Sequence, residues 1–412
     1  MSSDGFTDDG LAALDAALAR HTSTGAVPGL VALVARDGPV HVTSAGHKAI
    51  GDSAPIGRDA IFRISSLTKP ITGVAAMLLI EDGAMALSDP VERWLPELSD
   101  RRVLRSYDAE LSDTVPAKRP ITVEDVLSFR LGFGLVFTPE TPPIVRVAEE
   151  ELKLKTVGPP WPPTPHNSDE WIAALGSLPL IDQPGERFRY NTGAMVAGIL
   201  IERVTGAPFA EVLSKRVFEP LGMTDTAFYV PAAKMGRFTS MYAPREAAAV
   251  FGGSGDSAGR DELVLIDRPD GWYAAPPRLS DGGAGLVSTI DDLGAFAAML
   301  AADGGGLLAE GSVAQMLRDR TTERDRAENG WFFGENQGWG LTMLVPAAGA
   351  DPRTAPDGMP RGYGWEGGSG TSWRTDPSTG LTGILLTQRM LASPQPPAVA
   401  RDFWAAAYAA LA

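Results

Sequence analysis

Cysteine is absent from the 412 residues, which excludes disulfides, thiolate metal sites and a cysteine nucleophile. Cations are also scarce, because 36 Lys and Arg stand against 51 Asp and Glu and give a net charge of −15. Nucleic-acid binding depends on clustered positive charge, so we expect no nucleic-acid partner. The four histidines fall in no metal-binding spacing. We expect no metal and no other cofactor.

The sequence also lacks a long apolar run. A bilayer-spanning helix needs about 20 apolar residues, so we expect no membrane partner. The N-terminal segment has no basic region and places Asp15 within its apolar stretch. This pattern is typical of an amphipathic helix, capped by Asp8 or Asp9, and not of a secretory signal, so we expect a cytoplasmic protein. No G-x-x-x-x-G-K-[ST] pattern occurs, which excludes a P-loop nucleotide site.

What the sequence does contain is an ordinary globular composition, with 44% hydrophobic and 21% charged residues. Apolar runs at residues 30–36 and 380–388 predict buried strands near the two ends of the chain, and helical patterns lie at both ends and across the middle. These patterns predict an α+β fold. Its antiparallel sheet draws on residues 1–65 and 330–412 and is flanked by helices, whereas residues 66–329 are mainly helical.

Residues 138–166 form a proline-rich insertion with a short amphipathic helix between two proline clusters. Long segments of this kind act as active-site lids in some proteins and are plain surface insertions in others, and the sequence leaves both possibilities open. Two tryptophans lie in or near the insertion, Trp161 and Trp171, and either could extend an apolar wall of the site. Core packing is the simpler role for Trp171, which follows a helix-cap signal at Ser168.

One short motif carries chemistry. Ser66 and Lys69 form an S-x-x-K pattern, and residues three apart on a helix share a face, with Cβ atoms about 5–6 Å apart. A lysine that burial has made neutral can accept the serine proton, and N–H groups at a helix N-terminus can stabilise an oxyanion. The alternative is a serine that caps a helix beside a solvated lysine. The pair precedes the most apolar helix in the sequence, at residues 71–82, which favours the catalytic interpretation.

The surrounding residues, IFRISSLTKPITGVAAMLLIEDGAMALSDPVERWLPEL, resemble the nucleophile segment of the class C β-lactamase-like serine hydrolases. That superfamily includes D-Ala-D-Ala peptidases, family VIII carboxylesterases and related acyltransferases. The resemblance implies a β-lactamase/transpeptidase-like fold, with residues 1–412 as a single catalytic unit. It also implies that Ser66 is acylated and that Lys69 forms a proton relay with a tyrosine.

A second motif extends the resemblance to the middle of the chain. QPGERFRYNTG is similar to the tyrosine motif of the family and implies that Tyr190 is the relay tyrosine. Asn191 and Thr192 stand where the common pattern has Ser-Asn, so the sequence departs from the family at this point. The departure leaves the role of Asn191 open and does not affect Tyr190.

The third motif lies near the C-terminus, where residues 365–367 match its W-x-G form. The resemblance implies that Trp365 and Gly367 border the substrate. It further implies that the backbone N–H groups of Gly368 and Ser66 form the oxyanion hole. Glycine is expected here, since a side chain would block a close approach of the backbone to the acyl group.

The third motif also bears on the substrate. Penicillin-recognising members of the superfamily place a lysine or another cation near the substrate carboxylate, whereas Trp365 offers an apolar wall without charge. We therefore expect a carboxylesterase that acts on short-chain neutral esters through an acyl-Ser66 intermediate. Arg374 and Arg389 lie close in sequence and could restore a cation.

Other activities would use the same acyl-enzyme. The enzyme could be a β-lactamase, a D-amino-acid peptidase or amidase, or an acyltransferase that delivers the acyl group to an alcohol or amine. An inactive binding protein is the least expected alternative, because Ser66, Lys69 and Tyr190 are all present. In each enzymatic case the partner is a small-molecule ester or amide.

Overall fold

In the computed structural model, strands from the two ends of the chain meet in one sheet. The structure describes residues 5–412 except 37, 39, 137–140, 157–161, 249–261, 335, 352–359 and 394. Trp161 and parts of the proline-rich insertion therefore lie outside the described residues. Of the helices that the structure describes, none is long and apolar enough to cross a membrane.

The strands in the described residues are β1 Gly29–Arg36, β2 Val40–Gly46, β3 Phe62–Arg63, β4 Arg102–Leu104, β5 Thr114–Pro116, β6 Met241–Pro244, β7 Leu263–Asp267, β8 Val287–Ser288, β9 Gln337–Trp339, β10 Leu344–Pro346, β11 Tyr363–Gly367, β12 Thr371–Asp376 and β13 Leu381–Thr387. Seven of them form one antiparallel sheet in the order β2-β1-β13-β12-β11-β10-β9. The sheet predicted from both chain ends is thereby confirmed. Three two-stranded sheets pair β3 with β8, β4 with β5 and β6 with β7.

Helices cover the large sheet and fill the middle of the chain, as predicted. They are α1 Asp8–Ser23, α2 Thr68–Glu81, α3 Val123–Leu127, α4 Pro143–Arg146, α5 Ser168–Ser177, α6 Thr192–Thr205, α7 Phe209–Leu213, α8 Glu219–Leu221, α9 Arg245–Ala248, α10 Ile290–Ala301, α11 Ser312–Met316, α12 Glu323–Glu328, α13 Gly330–Phe333 and α14 Ala398–Ala409. Single π-helical turns extend α4 over Val147–Glu151 and α7 over Ser214–Phe218.

The apolar run in β1 is continuous because both faces of the strand are buried. Leu30 and Val34 pack in one cluster with residues of the terminal helices α1 and α14. Val31 and Leu33 point to the opposite face and belong to the main core, which includes α2, α6 and α10. Each aliphatic side chain removed from water in this way contributes roughly 1.5–3 kcal/mol. The sheet therefore separates the terminal helices from the helical region that contains Ser66.

Two helix caps differ from those predicted. α1 is capped by Thr7, whose side chain accepts the backbone N–H of Gly10, whereas Asp8 and Asp9 occupy the first turn. Asp8 and Asp9 there face the positive end of the helix dipole and need no capping role. α5 is capped by Asn167, one residue before the predicted Ser168.

The described part of the proline-rich insertion is packed into the protein. Ile144, Ala148 and Leu154 belong to the main core. Trp171 is fully buried, and its indole N–H donates to the carbonyl of Leu154 over 2.7 Å. The predicted core role of Trp171 is therefore confirmed, and this half of the insertion is anchored by apolar contacts.

Candidate active site

Ser66 lies in a tight turn that connects β3 to α2. Residues Ser65–Leu67 form a single 3-10 turn, and α2 begins directly after it at Thr68. Ser65 has a φ of 44°, a left-handed conformation that costs energy in a residue with a Cβ atom. The hydroxyl of Thr68 donates to the carbonyl of Ser65 over 2.6 Å and holds this conformation. Pro70 occupies the first turn of α2, where its missing N–H is not needed.

Lys69 is fully buried and lies one helical turn beyond the serine. Its amine donates to Ser66 Oγ over 2.9 Å and to the carbonyl of Gly283 over 2.6 Å. Burial lowers the pKa of Lys69 to about 7, although the nearby charge of Asp281 acts in the opposite direction. A large fraction of this amine is therefore uncharged near neutral pH and free to accept a proton.

Tyr190 completes a hydrogen-bonded group around the serine. Its hydroxyl donates to Ser66 Oγ over 3.0 Å, and the amine of Lys69 lies 4.7 Å from the centre of its ring. Burial raises the pKa of Tyr190 well above its ordinary value, so the phenol stays protonated at neutral pH. Of the two partners of Ser66, the lysine is thus the group that is poised to act as a base.

Trp365 lies on β11 and contacts the same tyrosine. Its indole N–H donates to the hydroxyl of Tyr190 over 2.7 Å. Only 7% of its surface is exposed, because the ring packs edge-on against Trp339 at 4.7 Å and beside Phe332 at 5.1 Å. The sequence did not single out Trp339 or Phe332, which lie far from Tyr190 along the chain. Together these rings form an aromatic wall beside Tyr190.

The two glycines after Trp365 have different surroundings. A Cβ atom at Gly367 would lie 2.4 Å from the carbonyl oxygen of Ile64, so only glycine allows β11 to approach the turn that contains Ser66. A Cβ atom at Gly368 would meet no described atom within 4 Å. The carbonyl of Gly368 accepts the N–H of Leu391 over 2.9 Å, which fixes this peptide. Within the described part of the chain, the N–H groups of Gly368 and Ser66 have no hydrogen-bond acceptor.

The two residues that depart from the family pattern have contacts of their own. Asn191 adopts a φ of 83°, and its side-chain amide donates to the carbonyl of Thr156 over 3.0 Å. This bond ties the proline-rich insertion to the start of α6. The hydroxyl of Thr192 is buried and has no hydrogen-bond partner among the described residues. Neither side chain donates to Ser66 or Lys69.

The two arginines that could restore a cation are engaged elsewhere. Arg374 forms an ion pair with Glu366 at 3.1 Å and donates to the carbonyl of Trp373 over 2.9 Å. Its guanidinium carbon lies 6.0 Å from the ring centre of Trp365. Arg389 donates to the carbonyl of Ala26 over 2.9 Å. Both guanidinium groups therefore already have acceptors within the protein.

Sequence reasoning missed Asp281, a buried carboxyl in the loop before β8. It accepts the N–H of Gly283, the residue whose carbonyl receives the Lys69 amine. The pattern Asp-Gly-Gly at 281–283 is the only local signal for it.

Another serine pattern, G-x-S-x-G at residues 255–259, lies outside the described residues. In the part of the chain that is described, no three His, Asp or Glu side chains are grouped so that they could hold a metal.

The sequence also matches a known protein family. The Beta-lactamase family model matches residues 14–408. The chain belongs to the Beta-lactamase family. This confirms the family resemblance found in the sequence, and the fold predicted with it.

Relatives in this Beta-lactamase family include esterases. Protein Rv1367c of Mycobacterium tuberculosis is 34% identical, over 88% of this chain and 86% of its own length. Esterase EstB of Burkholderia gladioli is 30% identical, over 87% of this chain and 85% of its own. Among solved structures, EstCE1, described as a hydrolase with promiscuous acyltransferase activity, is similar with a TM-score of 0.76 and 25% identity, over 96% of this chain and 98% of its own. The family membership and these relatives support a serine hydrolase.

Proposed function

We propose that the chain is a carboxylesterase that hydrolyses short-chain neutral esters through an acyl-Ser66 intermediate. The observation that carries the proposal is the position of Ser66 Oγ, which accepts hydrogen bonds from both Lys69 and Tyr190. A serine hydroxyl is a weak nucleophile unless a base lies within hydrogen-bond reach. Lys69, with its lowered pKa, is that base.

The proposed reaction begins when the free amine of Lys69 takes the proton of Ser66 and Oγ attacks the ester carbonyl. The N–H groups of Ser66 and Gly368 would stabilise the negative charge that develops on the carbonyl oxygen. As the tetrahedral intermediate collapses, the proton passes through the Tyr190 hydroxyl to the leaving alcohol. Water then attacks the acyl group with the same relay working in reverse, which releases the acid and restores Ser66.

The preference for neutral esters rests on Trp365. An unpaired carboxylate in a closed pocket costs several kcal/mol, and Trp365 offers it no charge. The guanidinium groups of Arg374 and Arg389 are held by Glu366 and by the carbonyl of Ala26. A β-lactam or a D-peptide would therefore bind with its carboxylate poorly compensated. The name of esterase EstB supports an ester as the substrate. The description of EstCE1 as a hydrolase supports hydrolysis as the reaction.

The test compares kcat/KM for p-nitrophenyl esters of about C2 to C6 with kcat/KM for nitrocefin. We expect the esters to be favoured by at least about 10², equivalent to about 2.7 kcal/mol. Trp365→Lys should narrow this ratio, because a lysine at this position would compensate the carboxylate of nitrocefin and offers nothing comparable to a neutral ester. Comparable values for nitrocefin and p-nitrophenyl butyrate in the wild-type enzyme would contradict the ester assignment and favour a β-lactamase.

Acyl transfer is a second candidate function, favoured by the acyltransferase activity in the description of EstCE1. An acyltransferase would form the same acyl-Ser66 but deliver the acyl group to an alcohol or amine. Product analysis with an added alcohol separates the two functions. A transfer product that exceeds the free acid at low alcohol concentration indicates a transferase, and free acid alone indicates a hydrolase.

A further inference from the structure

The carboxyl of Asp281 is buried next to the candidate site, and the reaction proposed above assigns it no proton transfer. Only 7% of the residue is exposed. Its Oδ1 accepts the N–H of Gly283 over 2.6 Å, and the N–H of Ala284 bonds to the same carboxyl group. The backbone carbonyl of Asp281 accepts the N–H of Gly285 over 3.0 Å. The side chain and backbone of one residue thus fold the turn at 281–285.

This turn presents two carbonyl groups to α2. The carbonyl of Gly283 accepts the amine of Lys69 over 2.6 Å, and the carbonyl of Gly282 accepts the hydroxyl of Thr72 over 2.7 Å. A Cβ atom at Gly282 would lie 2.5 Å from the carbonyl oxygen of Ala194. The turn therefore fits between α2 and α6 only without a side chain at that position. Its conformation fixes where the amine of Lys69 is held.

Titratable or nucleophilic groups from three segments face Lys69. Ser66 lies on the turn before it, Tyr190 precedes α6, and Asp281 precedes β8. Among the described residues, Asp281 is the charged group whose field acts on the lysine. Burial lowers the pKa of Lys69, and Asp281 opposes this effect. Burial likewise raises the pKa of Asp281, and its hydrogen bond from Gly283 and the charge of Lys69 oppose it.

We propose that Asp281 is a positioning residue for Lys69. Its carboxyl group folds the turn that holds the lysine amine against Ser66, and among the described residues it is the acidic group that acts on this amine. The inference rests on the proposed role of Lys69 as the base for Ser66. It adds a requirement that this role alone does not make, because the position of the amine and the pH dependence of the reaction should then change when Asp281 is replaced.

The test measures the pH profile of kcat/KM for p-nitrophenyl butyrate between pH 5 and 9 in Asp281→Asn, Asp281→Ser and Asp281→Ala. The Asn and Ser variants keep an acceptor for the N–H of Gly283 but lose the charge, whereas the Ala variant loses both. Asp292→Asn is the matched control. Asp292 is also a buried aspartate, and it accepts the N–H of Asp225 and the hydroxyl of Thr226. A thermal unfolding transition is measured for each variant to test whether it is folded.

We expect the midpoint of the acidic limb to move to lower pH by at least about 0.5 units in the Asn and Ser variants, since a lost negative charge disfavours the ammonium form. The control should keep the wild-type midpoint. The Ala variant should lose about 10- to 100-fold in kcat/KM, because the Gly283 carbonyl is no longer held in place. An unchanged midpoint in the folded, active Asn and Ser variants, or a shift to higher pH, would overturn the proposal.

Labelling of Ser66 by a fluorophosphonate separates this result from a failure of the proposed function. Wild-type protein that is not labelled at Ser66 contradicts the function itself and the Asp281 proposal with it. Wild-type protein that is labelled, together with an unshifted midpoint in Asp281→Asn and Asp281→Ser, contradicts only the role of Asp281. The labelling rate should show the same shift of its acidic limb as ester hydrolysis does.

Discussion

The indole N–H of Trp365 donates to the hydroxyl of Tyr190 over 2.7 Å, and that hydroxyl in turn donates to Ser66 Oγ over 3.0 Å. The first bond occupies the phenolic oxygen, so the phenolic proton is directed at the serine. The residue that we propose as an apolar wall for the substrate thereby also orients a member of the proposed relay. Both properties depend on β11 lying beside the turn that contains Ser66.

Trp365→Phe should lower kcat for p-nitrophenyl butyrate about 10-fold while the aromatic wall is kept. The expected loss is that of one buried hydrogen bond, about 1–1.5 kcal/mol. Trp373→Phe is the control, because Trp373 pairs with Trp365 on the neighbouring strand and its indole N–H has no partner among the described residues. Equal kcat losses in the two folded variants would show that bulk, and not the N–H group, is what Trp365 supplies.

Lys69→Met and Tyr190→Phe should each lower kcat/KM by about 10²–10⁴, the range for a positioned acid or base. Because both residues contact Ser66 Oγ and act in one relay, the double variant should lose much less than the product of the two single losses. Steady-state kinetics on the three variants measures this. Tyr408→Phe, on α14 across the sheet, should remain close to wild type. Fully multiplicative losses would indicate that one of the two residues has only a structural role.

The buried lysine should also make stability depend on pH. Burial lowers the pKa of Lys69 from 10.5 to about 7, so between these values the unfolded chain binds a proton that the folded protein lacks. Wild-type stability should therefore gain from Lys69 as the pH rises from 7 to 10.5. Below about 7 both states are protonated, and the cost of the buried charge is fully present.

Lys69→Met removes this dependence. Urea unfolding at pH 6 and pH 9.5 should show that the stability of the variant relative to wild type falls by at least about 1 kcal/mol at the higher pH. Ser65→Ala removes a buried hydroxyl that has no hydrogen-bond partner among the described residues, and its difference from wild type should not vary with pH. A Lys69→Met difference that is also constant with pH would contradict a lowered pKa.

Local signals account for what the sequence predicted well. α2 could be predicted because residues 71–80 are nearly all apolar and Gly83 follows the helix. The helix begins at Thr68, with Pro70 in its first turn, and residues 68–79 are all buried. The strands β1 and β13 could be predicted because a strand buried on both faces consists largely of apolar residues. The S-x-x-K spacing predicted that Ser66 and Lys69 lie close together, because residues three apart share a face of a helix.

The parts that the sequence could not supply are contacts between distant segments. The bond from Lys69 to the carbonyl of Gly283 joins residues 214 apart, and backbone carbonyls leave no signature in a sequence. Trp365 and Tyr190 are 175 residues apart and meet only when the sheet closes onto the helical region. The amide of Asn191 bonds to the proline-rich insertion, a contact that depends on where that insertion folds.

The most direct test of the account is the site of covalent acylation. Fluorophosphonate-treated protein is digested, and tandem mass spectrometry locates the added mass. We predict that the added mass lies on Ser66. Ser66→Ala should abolish the labelling and lower kcat by several orders of magnitude, whereas Ser65→Ala should still be labelled. Label that persists in folded Ser66→Ala, or that maps to Ser65, would contradict Ser66 as the nucleophile.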